Sequence, residues 1–468
     1  MHLANSITDR LKRNCLLIIG VLGTSAALAQ INSPYSRYGL GDWMSVQNVA
    51  NKGMGGIAAA YSDYGIVGSP FNINIVNPAS LGSLSNTKNF SNTIFDIGGV
   101  AEFNTLKSTT TTEKYKSSNA MTSYLQVAFP VSTPKMEKRG TAWGLSFGLR
   151  PISRISYKIQ ENVRIQNVDS VSYLYEGSGG LNQANISTGI RFTGKGKMKN
   201  EIFIGIGTGY NFGNKDFSTR TSIVNDSIIF YRGNTEIQSR FGGLFLNTGL
   251  QYELHFKNAG KLRLGAYANL QHNLQATGSV NNETFGYDAN GGIIKIDSIS
   301  NSSEVSGVVK LPGAYGAGFT YQTKNQNWIF GADMEYATWN NYSYFGTTDK
   351  VATNWTLRAG AEYYPANFNA ATNKYWNYVR YRAGFFYGPD YIKLSGQTRY
   401  NYAATIGTSM PLTTPRYIQT RGEFVSLSTA LEIGSRGSKQ TQSVREGFVR
   451  FNIGVSMNAR WFQKRSYD

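Results

Sequence analysis

His255 and His272 are the two side chains best suited to proton transfer or metal binding outside the N-terminal segment. Alternation along a strand puts His255 on the same face as Glu253, whereas His272 shares the parity of the apolar residues Leu262 to Leu270. The two imidazoles are therefore not expected to face one ligand. Because the chain has a single cysteine, the sequence predicts no metal centre built from His or Cys.

Two further residue patterns bear on catalysis. A Ser nucleophile beside a His base would serve acyl transfer, but serines are abundant and only geometry could identify such a pair. Gly205, Gly207 and Gly209 recur with a strand period and precede no helix, which rejects a phosphate-binding loop. We therefore expect no enzyme, no catalytic residue and no cofactor.

The N-terminal residues 1–29 have the features of a secretory signal peptide. Basic residues up to Arg13 precede an apolar run from Cys15 to Leu28, and small residues lie just before Gln30. The run is shorter than a membrane-spanning helix and is interrupted by Gly, Thr and Ser. Removal of this segment also removes the cysteine, so the mature chain is predicted to have no thiol or disulfide.

A two-residue alternation marks the rest of the chain. From Val449 to Trp461 every second residue is apolar, and the residues between them are polar or Gly. Successive side chains of a strand point to opposite faces, so this segment has one apolar and one polar face. It is longer than an ordinary soluble strand and suits a tilted crossing of a bilayer. No run of 18 apolar residues follows the signal segment, which argues against helical spans.

The same alternation predicts about fourteen strands, an even number as outer-membrane barrels prefer. Their predicted starts are near Asn89, Ala120, Thr141, Gly180, Glu201, Gly242, Lys261, Val308, Asn327, Asn354, Tyr378, Tyr400, Glu423 and Phe448. We therefore expect an all-β, transmembrane antiparallel β-barrel over residues 89–468, in the cell outer membrane.

Connections between these strands alternate in length. Long loops are predicted at Gln160 to Gly179, Asn214 to Arg240 and Thr277 to Gly307, with short turns between them at Gly194 to Asn200 and Lys257 to Gly260. Outer-membrane barrels place short turns on the periplasmic side and long loops on the other. A soluble sandwich or propeller has no reason to separate them in this way.

Aromatic residues and charge agree with a membrane location. The chain has 30 Tyr, 25 Phe and a net charge of +18. The basic residues are dispersed, which favours membrane lipid or lipopolysaccharide headgroups over nucleic acid as partners. Many aromatic residues fall near predicted strand ends, as interfacial girdles require, although aromatic cross-strand pairs in a soluble sheet are the alternative. They include Trp328, Tyr336, Trp339, Tyr342, Tyr344, Trp355, Tyr363, Tyr364, Tyr375, Trp376 and Tyr378.

Residues 30–88 are richer in small and loop-forming residues than the predicted strands that follow. They are predicted to form a plug, or hatch, inside the barrel. Gly53, Gly55 and Gly56 permit close backbone approach, and an Asn77, Pro78, Ala79 element follows. A barrel of this size has a lumen wider than its own side chains fill. The apolar content favours packing over a disordered leader.

Short motifs along the whole chain accompany the hatch residues. They are Gly53, Met54, Gly55, Gly56, Asp63, Asn77, Pro78, Ala79, Phe147, Gly148, Leu149, Pro151, Tyr157, Leu311, Pro312, Tyr315, Gly318, Tyr321, Trp328, Asp333, Trp339, Arg358, Ala359, Gly360, Arg382, Ala383 and Gly384. With these motifs the sequence resembles the FadL-type long-chain fatty-acid and hydrocarbon transporters of the outer membrane (OMPP1/FadL/TodX-like). The resemblance spans most of the mature chain, although the stretch from Asp63 to Asn77 is longer than the spacing usual in that family.

The resemblance implies a passive channel for hydrophobic molecules such as long-chain fatty acids. Such a channel has a hatch and gate, here Gly53, Gly55, Gly56 and Asn77 to Ala79, and releases its ligand sideways at a kinked third strand. Pro151 lies in the third predicted strand and cannot donate to the ladder. It marks either a lateral opening in the wall or the point where the strand leaves the bilayer.

Two alternatives to a hydrophobic channel remain at this stage. The same barrel type also supplies scaffold or shuttle subunits of cell-surface protein secretion, whose partners would be secretion-apparatus proteins. A polar-solute porin is the other alternative, and it would need an open lumen. The sequence names neither the ligand nor the oligomeric state.

Overall fold

The structure is a computed structural model that describes most of the chain after the N-terminal segment. The described residues are 33–63, 72–84, 93–108, 114–166, 169–196, 198–224, 231–288, 292–366, 374–394, 396–413, 424–438 and 444–459. The predicted signal peptide, residues 1–29, lies outside the described residues. So do the predicted strand starts at Asn89 and Glu423.

Strands numbered β1–β18 in chain order dominate the described residues. Four lie outside the barrel wall: β1 (Asp42–Trp43), β9 (His272–Tyr287), β10 (Ile293–Leu311) and β13 (Ser343–Tyr344). The other fourteen form the wall: β2 (Thr93–Ser108), β3 (Lys114–Pro130), β4 (Thr141–Ile165), β5 (Asp169–Thr193), β6 (Glu201–Val224), β7 (Arg232–Phe256), β8 (Gly260–Asn269), β11 (Ala314–Gln322), β12 (Trp328–Ala337), β14 (Asn354–Tyr363), β15 (Arg380–Pro389), β16 (Tyr400–Pro411), β17 (Val425–Gly437) and β18 (Val444–Ala459).

The wall closes on itself. Each strand pairs antiparallel with its neighbours, and β18 pairs with β2 from Val444↔Ser108 to Ala459↔Thr93. Closure satisfies the backbone groups that an open edge would expose to lipid. The prediction of a transmembrane antiparallel barrel of about fourteen strands with an N-terminal plug is therefore confirmed.

The alternation read from the sequence becomes an apolar outer surface and a polar interior. Ile202, Ile204 and Ile206 of β6 are exposed, whereas Phe203 between them is buried against the interior. In β8 the outward Leu264 alternates with the buried Arg263. A wall with this outer face suits hydrocarbon and not water.

Short helices occur in the hatch and in the connections. They are the α-helices α1 (Val49–Gly53) and α2 (Pro134–Lys138) and the 3-10 helices Pro34–Arg37, Pro78–Ser83, Trp339–Asn341 and Tyr375–Tyr378. Among the described residues, none of the helices combines the length and the apolarity needed to cross a membrane.

The two ends of the barrel differ. At one end, here called the short-turn rim, β5–β6 and β7–β8 are joined by short turns. At the other end, the extended rim, four strands continue far past their neighbours. These strands, β4, β5, β6 and β7, are each 24 or 25 residues long in total. The predicted loops at Gln160 to Gly179 and Asn214 to Arg240 are therefore wrong, because these polar but β-branched and Tyr-containing segments pair as strands beyond the membrane.

The predicted loop Thr277 to Gly307 is also built of strands. It belongs to the β9–β10 hairpin, which is inserted between wall strands β8 and β11. The half of β7 nearer the short-turn rim pairs with β8. The half nearer the extended rim pairs with β9, from Gly242↔Gln275 to Arg232↔Phe285. The hairpin therefore adds two strands, β9 and β10, beside β7 and widens the sheet that β4–β7 form at the extended rim.

Residues 33–63 and 72–84, here called the hatch, lie inside the barrel. Most are buried, including Met54, Ala59, Asn77 and Ala79, each with no exposed surface. A lumen of this width leaves space that strand side chains alone do not fill, and the hatch fills it.

The aromatic residues near the strand ends separate into two groups. Trp328, Tyr336 and Trp376 are exposed on the outside, as an interfacial girdle requires. Trp339 and Tyr342 are buried instead and belong to a core cluster at the extended rim, where the ring of Trp339 stacks on that of Tyr391 at 4.3 Å. The girdle prediction is therefore wrong for this second group, because the segment between β12 and β14 folds over the lumen.

Candidate functional site

The inner wall carries a belt of glycines on which the hatch is seated. At each of these positions an added Cβ would overlap hatch atoms, mostly backbone. The belt consists of Gly144, Gly189, Gly205, Gly249, Gly265, Gly331, Gly360, Gly384, Gly407 and Gly454. Several are direct cross-strand partners, among them Gly189↔Gly205 and Gly360↔Gly384. Glycine at these positions permits contact that any side chain would prevent.

Gly53, Gly55 and Gly56, predicted as part of the gate, contact the wall at β14–β16. Gly55 has a φ of 72°, a conformation that favours glycine, and its N–H donates to Thr405 Oγ1 at 2.9 Å. Gly53 packs against the Cα of Gly407. Gly56 lies beside Arg358. The structure therefore brings the three glycines together at one side of the lumen.

Asn77, Pro78 and Ala79 contact the opposite side. The amide nitrogen of Asn77 donates to Ala59 O at 2.6 Å and to Ala266 O of the wall at 3.1 Å, and its amide oxygen accepts from Ala79 N at 3.0 Å. The last contact caps the 3-10 helix Pro78–Ser83. These two groups of predicted site residues hold the hatch at two places and do not meet in one pocket.

Buried charges add a second set of anchors. The carboxylate of Asp333 on β12 accepts from the backbone N–H of Ala58 and of Ala59, the latter at 2.7 Å. Hatch residue Asp63 pairs with Arg380 of β15. Charge-assisted hydrogen bonds in a site with little water are stronger than neutral ones, and removing one partner strands the other. Asp63 and Asp333 were among the residues of the resemblance, but nothing local in the sequence marks Arg380.

The amine of Lys52, on hatch helix α1, is also buried. It donates to Asn452 Oδ1 at 3.0 Å. Burial lowers the pKa of this lysine below its ordinary value, against a smaller opposing effect of the Glu432 carboxylate.

Pro151 lies where the pairing of two wall strands ends. β3 and β4 pair from Pro130↔Gly144 to Leu125↔Leu149. Within the described parts of these two strands no β3–β4 pair lies beyond Leu149, although β4 itself continues to Ile165. β4 does not end at Pro151, since it remains paired with β5 on its other side.

Both strands are irregular at this gap. In β4 the register with β5 shifts between Pro151 and Ser153, and in β3 the register with β2 shifts where Gly98 pairs with Tyr124 and Gly99 pairs with Thr122. Such bulges bend a strand and end its pairing, and they are common beside functional sites.

The hatch covers part of the free β4 edge. The segment 33–44, here called the strap, runs along it: Met44 N donates to Ile152 O at 2.8 Å, and Ser33 N donates to Ser156 O at 3.0 Å. The short strand β1 pairs with Ser153 and Arg154. Beyond Leu149, towards the extended rim, the strap thus replaces β3 as the neighbour of β4.

A cavity of about 320 Å³ lies between the hatch and the aromatic cluster of the extended rim. Gly55, Gly56 and Val76 line its floor, and Trp339 and Tyr391 line its upper part. Its walls are chemically divided. One part is apolar and is lined by Trp43, Met44, Ile152, Phe245, Leu246, Leu270 and Leu311. The other part is ionic and is lined by Glu102, Glu432, Arg436, Glu446 and Arg450.

Arg150 on β4 is a buried cation with no carboxylate partner among the described residues. Its Nε and Nη2 donate to Gln183 Oε1 at 2.9 and 2.6 Å, and its Nη1 has no hydrogen-bond partner. A row continues from there, since Gln183 Nε2 donates to Asn211 Oδ1 at 2.9 Å and Asn211 lies 2.7 Å from His272 Nε2. All four residues line the cavity. A buried cation without an anion is costly, so this row can receive an anionic group.

The position of His272 corrects the parity argument. Continued alternation from β8 gave His272 the parity of outward residues such as Leu264, yet it lines the cavity. The reason is a break in the ladder at Leu270 and Gln271, between the end of β8 and the start of β9, which resets the alternation.

His255 lies beside Glu253, as alternation predicted, with Nε2 and Oε1 3.0 Å apart. Ligand atoms of these two residues and Glu201 lie within 4.8 Å of one another, a spacing that a metal ion could use. Glu253 already accepts from Arg263 at 2.6 Å and from Lys261 at 3.2 Å. Two cations occupy the carboxylate, so the group is better described as an ion-pair network.

Comparison with known proteins agrees with this architecture. A family model described as BamG matches residues 11–468. No curated protein sequence matches.

Among solved structures, the chain is similar to the Pseudomonas putida toluene transporter TodX, with a TM-score of 0.53 and 13% identity over 88% of this chain and 98% of that one. It is also similar to the Ralstonia pickettii toluene transporter TbuX, with a TM-score of 0.50 and 14% identity over 88% and 98% of the two chains. A Pseudomonas aeruginosa FadL homologue gives a TM-score of 0.50 and 12% identity over 90% and 99%.

These similarities concern the fold, and the family match covers the chain almost from end to end. The protein is an outer-membrane β-barrel and belongs to the BamG family.

Proposed function

We propose that the protein is a passive outer-membrane channel for hydrophobic molecules, such as long-chain fatty acids, which leave sideways through the wall beside Pro151. The observation that carries this proposal is the end of β3–β4 pairing at Leu125↔Leu149, at the level where an internal cavity reaches β4. Because the strap covers the β4 edge above this break, the proposed route from the lumen to the bilayer runs between β3 and the strap.

The seating of the hatch favours a sideways route over an axial one. Asn77, Gly55 and the carboxylate of Asp333 hold the hatch to different wall strands, and a belt of glycines brings its backbone against the wall. Axial passage would require all these contacts to break. Sideways exit also keeps an apolar ligand out of water, where each exposed CH₂ costs about 0.8 kcal/mol.

The divided lining of the cavity supports an amphiphilic ligand. Apolar residues including Ile152 and Phe245 would contact a hydrocarbon chain, and the unpaired Nη1 of Arg150 would bind a carboxylate. Two of the structurally similar proteins are toluene transporters, which adds support for an apolar ligand. A fatty acid combines both features.

The roles of the two ends follow from this route. The short-turn rim is proposed to face the periplasm, and ligand would enter near the aromatic cluster that includes Trp339 and Tyr391. Gly55 and Gly56 would shape the floor of the cavity, and Asn77 to Ala79 would keep the hatch in place.

A reversible bridge across the gap tests the proposal. Met121 of β3 and Arg154 of β4 both line the cavity on either side of the gap. A Met121→Cys/Arg154→Cys variant would be bridged by bis-methanethiosulfonate reagents of graded length, since the one other cysteine, Cys15, lies in the predicted signal peptide. Uptake of a fluorescent fatty acid into proteoliposomes should fall on bridging and return on reduction. Each single-cysteine variant, treated in the same way, is the control. Uptake that is unchanged in the bridged protein would show that ligand does not leave between β3 and β4.

A further inference from the structure

Strand β10 leaves one edge unpaired at the extended rim. Residues 293–311 pair on one side with β9, and on the other side only Val309 and Lys310 pair, with Tyr344 and Ser343 of β13. In the part of the chain that the structure describes, the outer edge from Ile293 to Gly307 has no strand beside it. Unpaired N–H and C=O groups along such an edge can receive another strand.

Large aliphatic side chains accompany this edge. Every residue from Ile293 to Ser306 is exposed, and the side chain of Ile299 is the most exposed of the aliphatic ones, at 68%. The other exposed aliphatic residues are Ile293, Ile294, Ile296 and Val305. Aliphatic residues in this number are unusual for a solvated strand and mark a contact surface.

Three register shifts leave four residues outside the regular pairing with β9: Ile296, Ile299, Ser303 and Glu304. Bulges twist an edge away from the flat shape on which strands aggregate, and they re-aim individual side chains. The β10 edge is therefore protected from unselective pairing while it presents two isoleucines to a specific partner.

A second copy of the chain does not fit this edge. The two copies of a symmetric dimer inserted in the same membrane are related by a two-fold axis along the membrane normal. That rotation keeps every residue at its own height, so the N–H of Ile296 would face the N–H of the same residue, and no ladder could form. A different polypeptide therefore fits this edge better than a two-fold copy does.

The charges of the edge indicate what that polypeptide carries. Lys295 is already paired with Glu283 of β9, at 3.4 Å. Among the described residues, Asp297 and Glu304 have no cation within ion-pair distance. The edge is thus acidic in a chain whose net charge is +18. Complementarity calls for basic residues opposite it.

We infer that the β10 edge, residues 293–307, is a docking site for an extended segment of another protein in which aliphatic and basic residues alternate. The segment would add a strand to the projecting sheet, with backbone hydrogen bonds to β10, aliphatic contacts to Ile296 and Ile299, and basic residues beside Asp297 and Glu304. This role is independent of ligand passage through the lumen.

Hydrogen–deuterium exchange on the full-length protein in detergent tests the inference. The probe is a synthetic peptide of about twelve residues, the length of a long strand, that alternates Val and Lys. The β10 amides in 293–306 that point to the outer edge, away from β9, should exchange rapidly alone and about tenfold more slowly with peptide. The same peptide with alternate amides N-methylated should give no protection, and a Val–Glu peptide should give less.

Variants make the test specific. The double variant Asp297→Lys/Glu304→Lys should lose the protection by the Val–Lys peptide, whereas Glu161→Lys, an exposed acid on β4 of the same sheet, should keep it. Three results would overturn the inference: no slowing on β10, equal slowing by the N-methylated peptide, or edge amides already protected in a dimer of the protein alone.

Discussion

The guanidinium of Arg150 donates two hydrogen bonds to a single oxygen of Gln183, at 2.9 and 2.6 Å, and its third nitrogen, Nη1, has no partner among the residues that the structure describes. One amide oxygen cannot neutralise a cation, so Arg150 is a buried positive charge at the cavity wall. A ligand carboxylate would complete the site.

We expect Arg150→Met to weaken binding of a long-chain fatty acid about tenfold, which equals ~1.4 kcal/mol, and to leave binding of an uncharged hydrocarbon such as toluene unchanged. Displacement of a fluorescent fatty acid from purified protein measures both affinities. Arg240→Met, at an exposed position, is the matched control. Equal losses for the acid and the hydrocarbon would indicate a structural role for Arg150 and not recognition of the headgroup.

The glycine belt makes a second prediction. A methyl group on Gly249 would overlap the side chain of Asn77, whereas Gly233 has open space at the same position. We expect Gly249→Ala to destabilise hatch seating by about 1–3 kcal/mol, the usual effect of overpacking. Gly233→Ala should have little effect.

Limited proteolysis of the folded barrel measures hatch seating, because a displaced hatch exposes its Lys and Arg residues. Cleavage within the hatch should be faster in Gly249→Ala than in Gly233→Ala. Equal cleavage rates would mean that the belt does not hold the hatch.

The sequence was sufficient for the wall and insufficient for the site. Alternation such as Val449, Phe451 and Ile453 reports directly which face meets lipid, because side-chain direction in a strand depends only on parity. The number of strands and most of their starting points follow from it. Where both faces of a strand are polar, as in the halves of β4 and β5 near the extended rim, alternation gives no apolar signal and the sequence predicts loops instead of strands.

The cavity row shows a different limit. Arg150 and Gln183 are 33 residues apart, and both are ordinary inward-facing polar residues of a strand. Their meeting is decided by the pairing of β4 with β5, and nothing local distinguishes them from other inward residues. A parity argument also fails across a break in pairing, as His272 shows after the end of β8.

The buried Lys52 makes seating of the hatch dependent on pH. Its pKa is lowered in the folded protein from the ordinary 10.5, so the folded state binds this proton more weakly than the unfolded state does. Protonation is therefore a cost below the lowered pKa, and the cost disappears as the pH rises towards and past the ordinary value.

We expect the difference in hatch protection between the natural protein and Lys52→Met to shift in favour of the natural protein as the pH rises from neutral to about 11. Proteolysis with a protease active over this range measures it. A Lys158→Met variant, at an exposed position of β4, controls for general effects of charge and alkali. The idea fails if the difference between the natural protein and Lys52→Met stays constant with pH.

Asp333 links the seating of the hatch to conductance. Its carboxylate accepts two backbone N–H groups, of Ala58 and Ala59, and Asp333→Ala would leave both donors buried without an acceptor, at a cost of about 1–3 kcal/mol each. The natural protein should be nearly silent in planar lipid bilayers because the hatch fills the lumen. Asp333→Ala should show intermittent ion-conducting openings, whereas Asp297→Ala, at an exposed acid of β10, should remain silent. Steady conductance of the natural protein would instead favour a polar-solute porin, and an equally silent Asp333→Ala would show that the remaining anchors hold the hatch without this one.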